Sequence, residues 1–157
     1  MLELAVIIPL APMVAGEEFE RSAIPLHPTV LSNVQLHETF LPTFVERIAL
    51  IARSTPETIG RAGPTDLFGK NRDIVVTTLE ESPSIRNLHE RLATVALELG
   101  ATPIEPSHNF DGFRSHVTRT FAGETILPTD TVQLTDLVLL DCTAPTRRVL
   151  TTTQLST

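Results

Sequence analysis

The pattern His-x-Thr occurs in two strand-like runs of this chain, one near its beginning and one near its end. His27 and Thr29 stand in the first run, and His116 and Thr118 stand in the second. Successive side chains of an extended strand point to opposite faces, so each histidine shares a face with the threonine two residues later. Two such strands placed side by side would present two imidazoles and two hydroxyls to one cleft.

This set of side chains suits acid–base chemistry on a phosphodiester. A neutral imidazole can take a proton from an attacking oxygen while a second, protonated imidazole gives a proton to the leaving oxygen. The two hydroxyls would hold the non-bridging oxygens of the phosphate. The pattern therefore predicts His27 and His116 as the catalytic pair, with Thr29 and Thr118 as substrate-binding residues.

A third copy of the pattern, His37-Glu38-Thr39, is interpreted as a coincidence. Fewer than one His-x-Thr is expected by chance from five histidines and 22 threonines in 157 residues, whereas the chain has three. The third copy leads directly into a helical pattern and lacks the β-rich, apolar residues that follow Thr29.

Two amphipathic helices are predicted between the motifs. Apolar residues recur at helical spacing over residues 40–53, with Thr39 as a candidate cap. The second helix follows Ser82, a good N-cap residue, and ends before Gly100, a helix stop. His89 lies beside the apolar stripe of this second helix and is expected at the surface or at its boundary.

The remaining segments are rich in β-forming residues. Pro25 and Pro28 make the first motif strand irregular, because proline cannot donate a hydrogen bond to a sheet. A Gly- and Pro-containing loop is predicted over residues 63–72. Antiparallel strands with two helices, without regular βαβ alternation, indicate the α+β class. Strands are predicted over residues 2–10, 55–63, 73–79, 131–134, 137–141 and 148–153.

This order of elements, with one His-x-Thr motif early and one late, resembles that of the two-histidine phosphoesterases, the superfamily of 2′-5′ RNA ligase-like proteins and cyclic nucleotide phosphodiesterases. The resemblance covers most of the chain and implies a two-lobed fold, in which antiparallel sheets with flanking helices surround a central cleft. Pro28 inside the first motif and Arg119 directly after the second depart from the usual pattern.

The resemblance also implies that catalysis uses neither a metal nor another cofactor, and that the two motif histidines act as general base and general acid. Arg114 shares the face of His116 in a regular strand and is a further candidate phosphate ligand, whereas Arg119 should point to the other face. A metal site that includes His27, His108 and His116 is a weak alternative, because no pair of ligands has the spacing of a recognised metal motif.

The net charge of −7 constrains the partners. Proteins that bind a long nucleic acid duplex usually carry a basic stripe, because contacts to phosphates supply most of the non-specific affinity. The sequence shows no such stripe. A small nucleotide or an RNA end is therefore the expected substrate.

The length of 157 residues predicts one domain over residues 1–157. No apolar run approaches the roughly 20 residues that span a bilayer, so no membrane association is expected. The first strand carries Glu3 and lacks a basic head, which argues against a signal peptide. Cys142 is the only cysteine and cannot form an internal disulfide, so a cytoplasmic location and a buried, structural role for Cys142 are expected.

Two classes of function remain compatible with the sequence. The first is an enzyme that opens a 2′,3′-cyclic phosphate, or that cleaves or forms a 2′-5′ phosphodiester, on a short RNA, a nucleotide or a cyclic oligonucleotide. The second is a non-catalytic nucleotide-binding or interaction module with the same fold, and the unusual Pro28 and Arg119 favour this alternative. The pH dependence and the chelator sensitivity of any turnover separate metal-free imidazole catalysis from metal-assisted hydrolysis.

Overall fold

The computed structural model describes all residues, Met1–Thr157, and contains ten β-strands and two α-helices. The helices are α1 (Leu41–Arg53) and α2 (Pro83–Glu98). The strands are β1 (Leu2–Ile7), β2 (Glu18–Glu20), β3 (Thr29–Leu36), β4 (Thr58–Phe68), β5 (Ile74–Leu79), β6 (Thr102–Pro103), β7 (His116–Thr118), β8 (Thr131–Leu134), β9 (Asp136–Asp141) and β10 (Thr146–Gln154).

The strands form two sheets. The first has six strands in the order β2-β10-β9-β1-β3-β6, and the second has four strands in the order β7-β5-β4-β8. Every pair of neighbouring strands within a sheet is antiparallel. The predicted α+β architecture of two antiparallel sheets with flanking helices is confirmed.

The two faces of the six-stranded sheet pack differently, as the period-2 alternation of strand side chains requires. On β1, Leu4 and Val6 belong to a core cluster of 23 buried residues that includes the apolar sides of both helices. Ala5 and Ile7 point to the other face and belong to a separate cluster of seven buried residues. That second face carries no helix and remains available to form the wall of a cleft.

Both predicted helices are present, and the ends of α2 are as expected. Ser82 Oγ accepts a hydrogen bond from the backbone N–H of Ile85 (3.4 Å), and Gly100 has a φ of +79° directly beyond the helix. The predicted cap of α1 is wrong, because Phe40 precedes that helix without a side-chain cap. Instead His37 Nδ1 accepts a hydrogen bond from Thr39 N–H (3.2 Å) and caps a short 3₁₀ turn.

The predicted loop over residues 63–72 is partly wrong, because β4 continues to Phe68. An irregularity in the register between Ala62 and Thr65 absorbs Gly63 and Pro64, and pairing with β5 then resumes. Glycine and proline thus mark a bulge here rather than the end of the strand. The extended strand carries Phe68 to the second motif.

Other predicted bounds differ by a few residues. The first strand ends at Ile7, and β10 begins two residues before the predicted position and ends at Gln154. The first motif begins outside regular pairing, as the prolines predict: backbone bonds from Ile8 N–H to Pro28 O and from Leu10 N–H to Leu26 O hold it, both at 3.0 Å. Neither helix has the length and apolar character that crossing a membrane requires.

Candidate active site

A single β-bridge joins the two His-x-Thr motifs. Pro28 pairs with Val117 in antiparallel orientation, so the start of β3 in the six-stranded sheet meets β7, the edge strand of the four-stranded sheet. Both bridge residues are buried, and Val117 is completely so. The flanking histidines and threonines therefore point to the opposite side, toward the cleft between the sheets.

The antiparallel register around this bridge sets the arrangement of the four side chains. His27 lies opposite Thr118, and Thr29 lies opposite His116, so the two histidines occupy diagonal corners. Diagonal neighbours in such a pair have Cβ atoms about 7–8 Å apart. A separation of this size leaves room for a phosphate group between two imidazole rings.

Each motif histidine is held by the same local hydrogen bond. His27 Nδ1 lies 2.7 Å from the carbonyl oxygen of Pro25, and His116 Nδ1 lies 2.7 Å from that of Arg114. A carbonyl oxygen only accepts, so Nδ1–H is the donor in both cases. The neutral tautomer therefore leaves Nε2 with a free lone pair on each ring.

A cavity of about 690 Å³ lies between the two sheets. His27, Thr29 and Thr118 line one end of it. Its floor is the helix-free face of the six-stranded sheet, and its opposite wall is the beginning of β5 with the segment after β7. The cavity has the size of a nucleotide site and contains groups that can accept, donate and hold protons.

His116 lies outside the lining of this cavity and has a different set of neighbours. Its ring packs edge-on against Phe68, with ring centroids 4.6 Å apart. The guanidinium of Arg114 lies over the Phe68 ring, 4.6 Å from its centre. Arg114 Nη2 also pairs with Asp66 Oδ2 at 3.1 Å. Arg114 lines a smaller cavity of about 300 Å³ and does not line the larger one.

The environment favours the neutral form of both motif histidines. Burial is the largest cause that lowers the pKa of His27, the Pro25 carbonyl opposes this effect, and the charge of His116 lowers the pKa further. Burial also lowers the pKa of His116, the Arg114 carbonyl opposes it, and the charges of His108 and Arg114 add to the lowering. The effect of His116 on His27 agrees with the diagonal positions of the two residues across the Pro28–Val117 bridge.

The other histidines have structural contacts. His37 caps an exposed turn, as described above. His89 is completely buried, and its expected position at the surface is wrong. It donates from Nδ1 to Val30 O, accepts the N–H of Phe110 at Nε2, both at 2.8 Å, and stacks on Phe113 at 4.1 Å. The chain that leads to the second motif covers this side of α2, and the imidazole can be buried because both nitrogens have partners.

Sequence reasoning missed three arginines that line the 690 Å³ cavity: Arg21, Arg119 and Arg147. Arg119 was expected on the opposite face from Thr118, but β7 ends at Thr118, so the alternation of side chains no longer applies. Arg21 and Arg147 are brought together by pairing between β2 and β10, which lie far apart in the sequence. No local sequence pattern predicts such a pair.

No group of three or more His, Cys, Asp or Glu side chains is arranged to hold a metal ion.

The fold matches solved phosphoesterase structures over nearly the whole chain. A crystal structure of a phosphoesterase superposes with a TM-score of 0.69 at 16% sequence identity and covers 99% of each chain. LigT from E. coli, in complex with NADP⁺, gives 0.66 at 17% identity over 99% of this chain and 98% of LigT. The protein TT0787 of Thermus thermophilus gives 0.62 at 18% identity, with 98% of each chain covered.

No protein-family model and no curated protein sequence matches the chain. The structural matches nevertheless confirm the fold that the paired motifs implied, a LigT-like phosphoesterase fold.

Proposed function

We propose that this protein is a phosphodiesterase that uses His27 and His116 as a general base and a general acid, without a metal, on a 2′,3′-cyclic phosphate or a 2′-5′ phosphodiester. The observation that carries this proposal is the Pro28–Val117 bridge, which sets two identically anchored imidazoles beside two hydroxyls. The LigT-like phosphoesterase fold supports the same class of reaction.

The tautomer of the anchored rings supports a role in proton transfer. With Nδ1–H given to a backbone carbonyl, Nε2 of a neutral ring is free to accept a proton, and Nε2–H of a protonated ring is free to donate one. In the opening of a cyclic phosphate, one ring takes a proton from water as its oxygen bonds to phosphorus. The other ring gives its proton to the ribose oxygen as the P–O bond breaks, and the product is a phosphomonoester.

Thr29 and Thr118 are proposed to bind the non-bridging oxygens, since each lies opposite a histidine of the other motif. Charge on these oxygens grows as the attacking oxygen bonds to phosphorus. Hydrogen-bond donors fixed in advance at that point stabilise the transition state more than the substrate. Arg114, the other residue expected to bind the phosphate, pairs with Asp66 and does not line the large cavity, so we propose that it acts on His116 through its charge instead.

The proposed substrate is a short RNA, a nucleotide or a cyclic oligonucleotide. The cavity has a closed floor and a volume of about 690 Å³, which fits one or two nucleotides better than a duplex. LigT has been crystallised with NADP⁺, 3′-AMP and ATP, which are small nucleotides. The overall negative charge of the chain also disfavours a long, highly charged partner.

The direct test is product analysis with a panel of 2′,3′-cyclic nucleotides and 2′-5′ linked dinucleotides, each incubated with and without EDTA. We expect turnover of at least one class and equal rates in both conditions. Turnover that EDTA abolishes and added metal restores would replace the two-histidine mechanism by metal-assisted hydrolysis. Binding of these nucleotides without any turnover would identify the protein as a nucleotide-binding module.

A further inference from the structure

The large cavity has a second charged end. Arg21 and Arg147 line it at the far side of the six-stranded sheet from the motifs. Phe19 pairs with Arg147, and Arg21 begins the short 3₁₀ turn directly after β2, so the β2–β10 pairing brings Arg21 near Arg147. Two residues far apart in the sequence are thereby placed on one wall.

Neither of these arginines is neutralised by the protein. All four ion pairs in the structure use other arginines: Arg47, Arg61, Arg86 and Arg114. The Arg21 side chain makes no hydrogen bond, and Arg147 makes one, from Nη1 to the carbonyl oxygen of Ala144 at 3.4 Å. Each guanidinium has five N–H donors, so nearly all of their bonding capacity is directed to solvent or to a ligand.

Within the lining of the cavity, positive charge predominates. Asp73 is the only carboxylate in the lining, against three arginines, in a chain with a net charge of −7. Glu20 lies beside both arginines in a neighbouring hollow but pairs with neither of them. Burial raises the pKa of the Cys142 thiol in the floor to about 11; the charges of Arg147 and Arg21 act in the opposite direction, and those of Glu3 and Asp141 act with burial.

One phosphate cannot reach both ends. Arg147 is on β10 and Thr29 is on β3, with β9 and β1 between them. Across the sheet, at about 4.8 Å per strand, these outer strands are about 14 Å apart. The register places Arg147 beside Cys142, four residues along β9 from Val138, which lies in the row of Thr29, and this offset adds about 13 Å along the strands at about 3.3 Å per residue. The two Cα atoms are therefore about 19 Å apart, and the long arginine side chain shortens this separation to about the length of a dinucleotide.

Resting on the proposed function, we propose that Arg21 and Arg147 form a second anion subsite, which binds a terminal phosphate of the substrate while the motifs hold the reacting phosphodiester. The substrate class is therefore a short oligonucleotide, of at least two nucleotides, that carries a 5′-phosphate in addition to the bond that is cleaved. Guanidinium groups suit this role because they bind phosphate oxygens in a bidentate manner. Arg119, next to Thr118, also lines this cavity.

The test measures binding, so it does not depend on turnover. The dinucleotide ApAp, which ends in a 3′-phosphate, and its 5′-phosphorylated form pApAp are titrated calorimetrically into the wild type and into the double variant Arg21→Gln, Arg147→Gln. We expect the wild type to bind pApAp at least about tenfold more tightly than ApAp, and this ratio to fall to about one in the double variant. Equal affinities in the wild type, or a ratio that survives in the double variant, would overturn the subsite.

Arg148→Gln is the matched control. Arg148 follows Arg147 on β10, is exposed and does not line the cavity, so its replacement removes a positive charge from the same strand without changing the subsite. It should keep the wild-type ratio. If the glutamine pair does not fold, as judged by circular dichroism, Arg21→Lys with Arg147→Lys replaces it and should lower the ratio without abolishing it, because lysine keeps the charge but loses the bidentate contact.

The two proposals fail in different ways. An inactive protein whose preference for pApAp over ApAp depends on the two arginines would refute the proposed reaction and retain the subsite. A protein that cleaves cyclic nucleotides but binds both probes equally would refute the subsite and retain the reaction.

Discussion

The two His-x-Thr motifs share one local geometry and differ in everything around it. In each motif the histidine donates from Nδ1 to the carbonyl two residues earlier, at 2.7 Å. His27 lines the large cavity between the sheets. His116 is outside that lining and packs against Phe68, and the charges of His108 and Arg114 lower its pKa.

This comparison separates what a short motif can determine from what the fold must supply. The tripeptide and the residues just before it orient the ring and leave Nε2 free, because the hydrogen bond spans only two residues. Of the neighbours of His116, only Arg114 is local: Phe68 comes from β4, and His108 from a turn well before β7. Identical motifs can therefore hold histidines for opposite proton-transfer roles.

The largest expected effect is the loss of either motif histidine. His27→Ala and His116→Ala should each lower kcat by about 10²–10⁴, since each removes one proton transfer from the same step. The double variant should be little worse than the worse single variant, because the two rings act together. The measurement is steady-state turnover of the cyclic nucleotide that the wild type cleaves best, with folding checked by circular dichroism.

His37→Ala is the matched control for this comparison, because His37 stands in the third copy of the same pattern. It caps an exposed turn and has no contact with the cavity lining, so turnover should be unchanged. Loss of turnover in His37→Ala together with full activity in His27→Ala would mean that the wrong two motifs were paired. Full activity in all three variants would rule out the two-histidine mechanism.

The next effect concerns the threonines. Thr29→Ala and Thr118→Ala each remove a hydroxyl opposite a histidine, and a lost bond to a charged phosphate oxygen costs about 1.5–3 kcal/mol, roughly a 10- to 150-fold loss in kcat/KM. Thr29 is half-buried and Thr118 is exposed, so Thr29→Ala should have the larger effect. Thr29→Ser and Thr118→Ser keep the hydroxyl and should retain most of the activity. Serine variants as impaired as the alanine variants would show that the hydroxyls do not bind the phosphate.

The pH dependence of turnover tests the environment of both rings at once. Burial lowers the pKa of His27 and of His116, so both lie below the usual value near 6.5. The profile of kcat/KM reports the free enzyme, and its bell should therefore have its maximum below pH 6.5 and fall about tenfold per pH unit on each limb. Bound phosphate favours the protonated ring, so the kcat profile should lie at higher pH. A maximum of kcat/KM above pH 7.5 would contradict these environments.

The sequence predicted the elements whose signals are local. Ser82 and Gly100 bound α2 as expected, and the spacing of apolar residues predicted α1. The bounds of β4 were wrong, because Gly63 and Pro64 break a strand in most settings and here form a bulge that the pairing with β5 tolerates. Whether such residues end a strand depends on which strand pairs with it and in which register, and the local sequence does not show this pairing.

For the candidate site, the sequence predicted the four motif residues as a set, and the structure brings the two motifs together at one bridge. It missed the surroundings. The position of His89 depends on Val30 O and on the N–H of Phe110, which are distant in the sequence, and the Arg21–Arg147 pair depends on the register of β2 against β10. Contacts of this kind follow from tertiary structure, so no window of residues reveals them.

The smallest expected effect distinguishes two roles of Arg114, the residue on which the two motif environments differ most directly. Its guanidinium already pairs with Asp66 at 3.1 Å and lines the smaller cavity, and its charge lowers the pKa of His116. Arg114→Gln should therefore raise the pKa of His116, because the ring no longer titrates beside a fixed cation. The limb of the pH profile that belongs to His116 should move to higher pH, whether that ring is the acid or the base. KM at the optimum should change by less than about threefold, as an exposed ion pair contributes little. A rise in KM of tenfold or more with no movement of either limb would instead identify Arg114 as a phosphate ligand. The control is Arg61→Gln, which removes another exposed and paired arginine away from both cavities and should produce neither change.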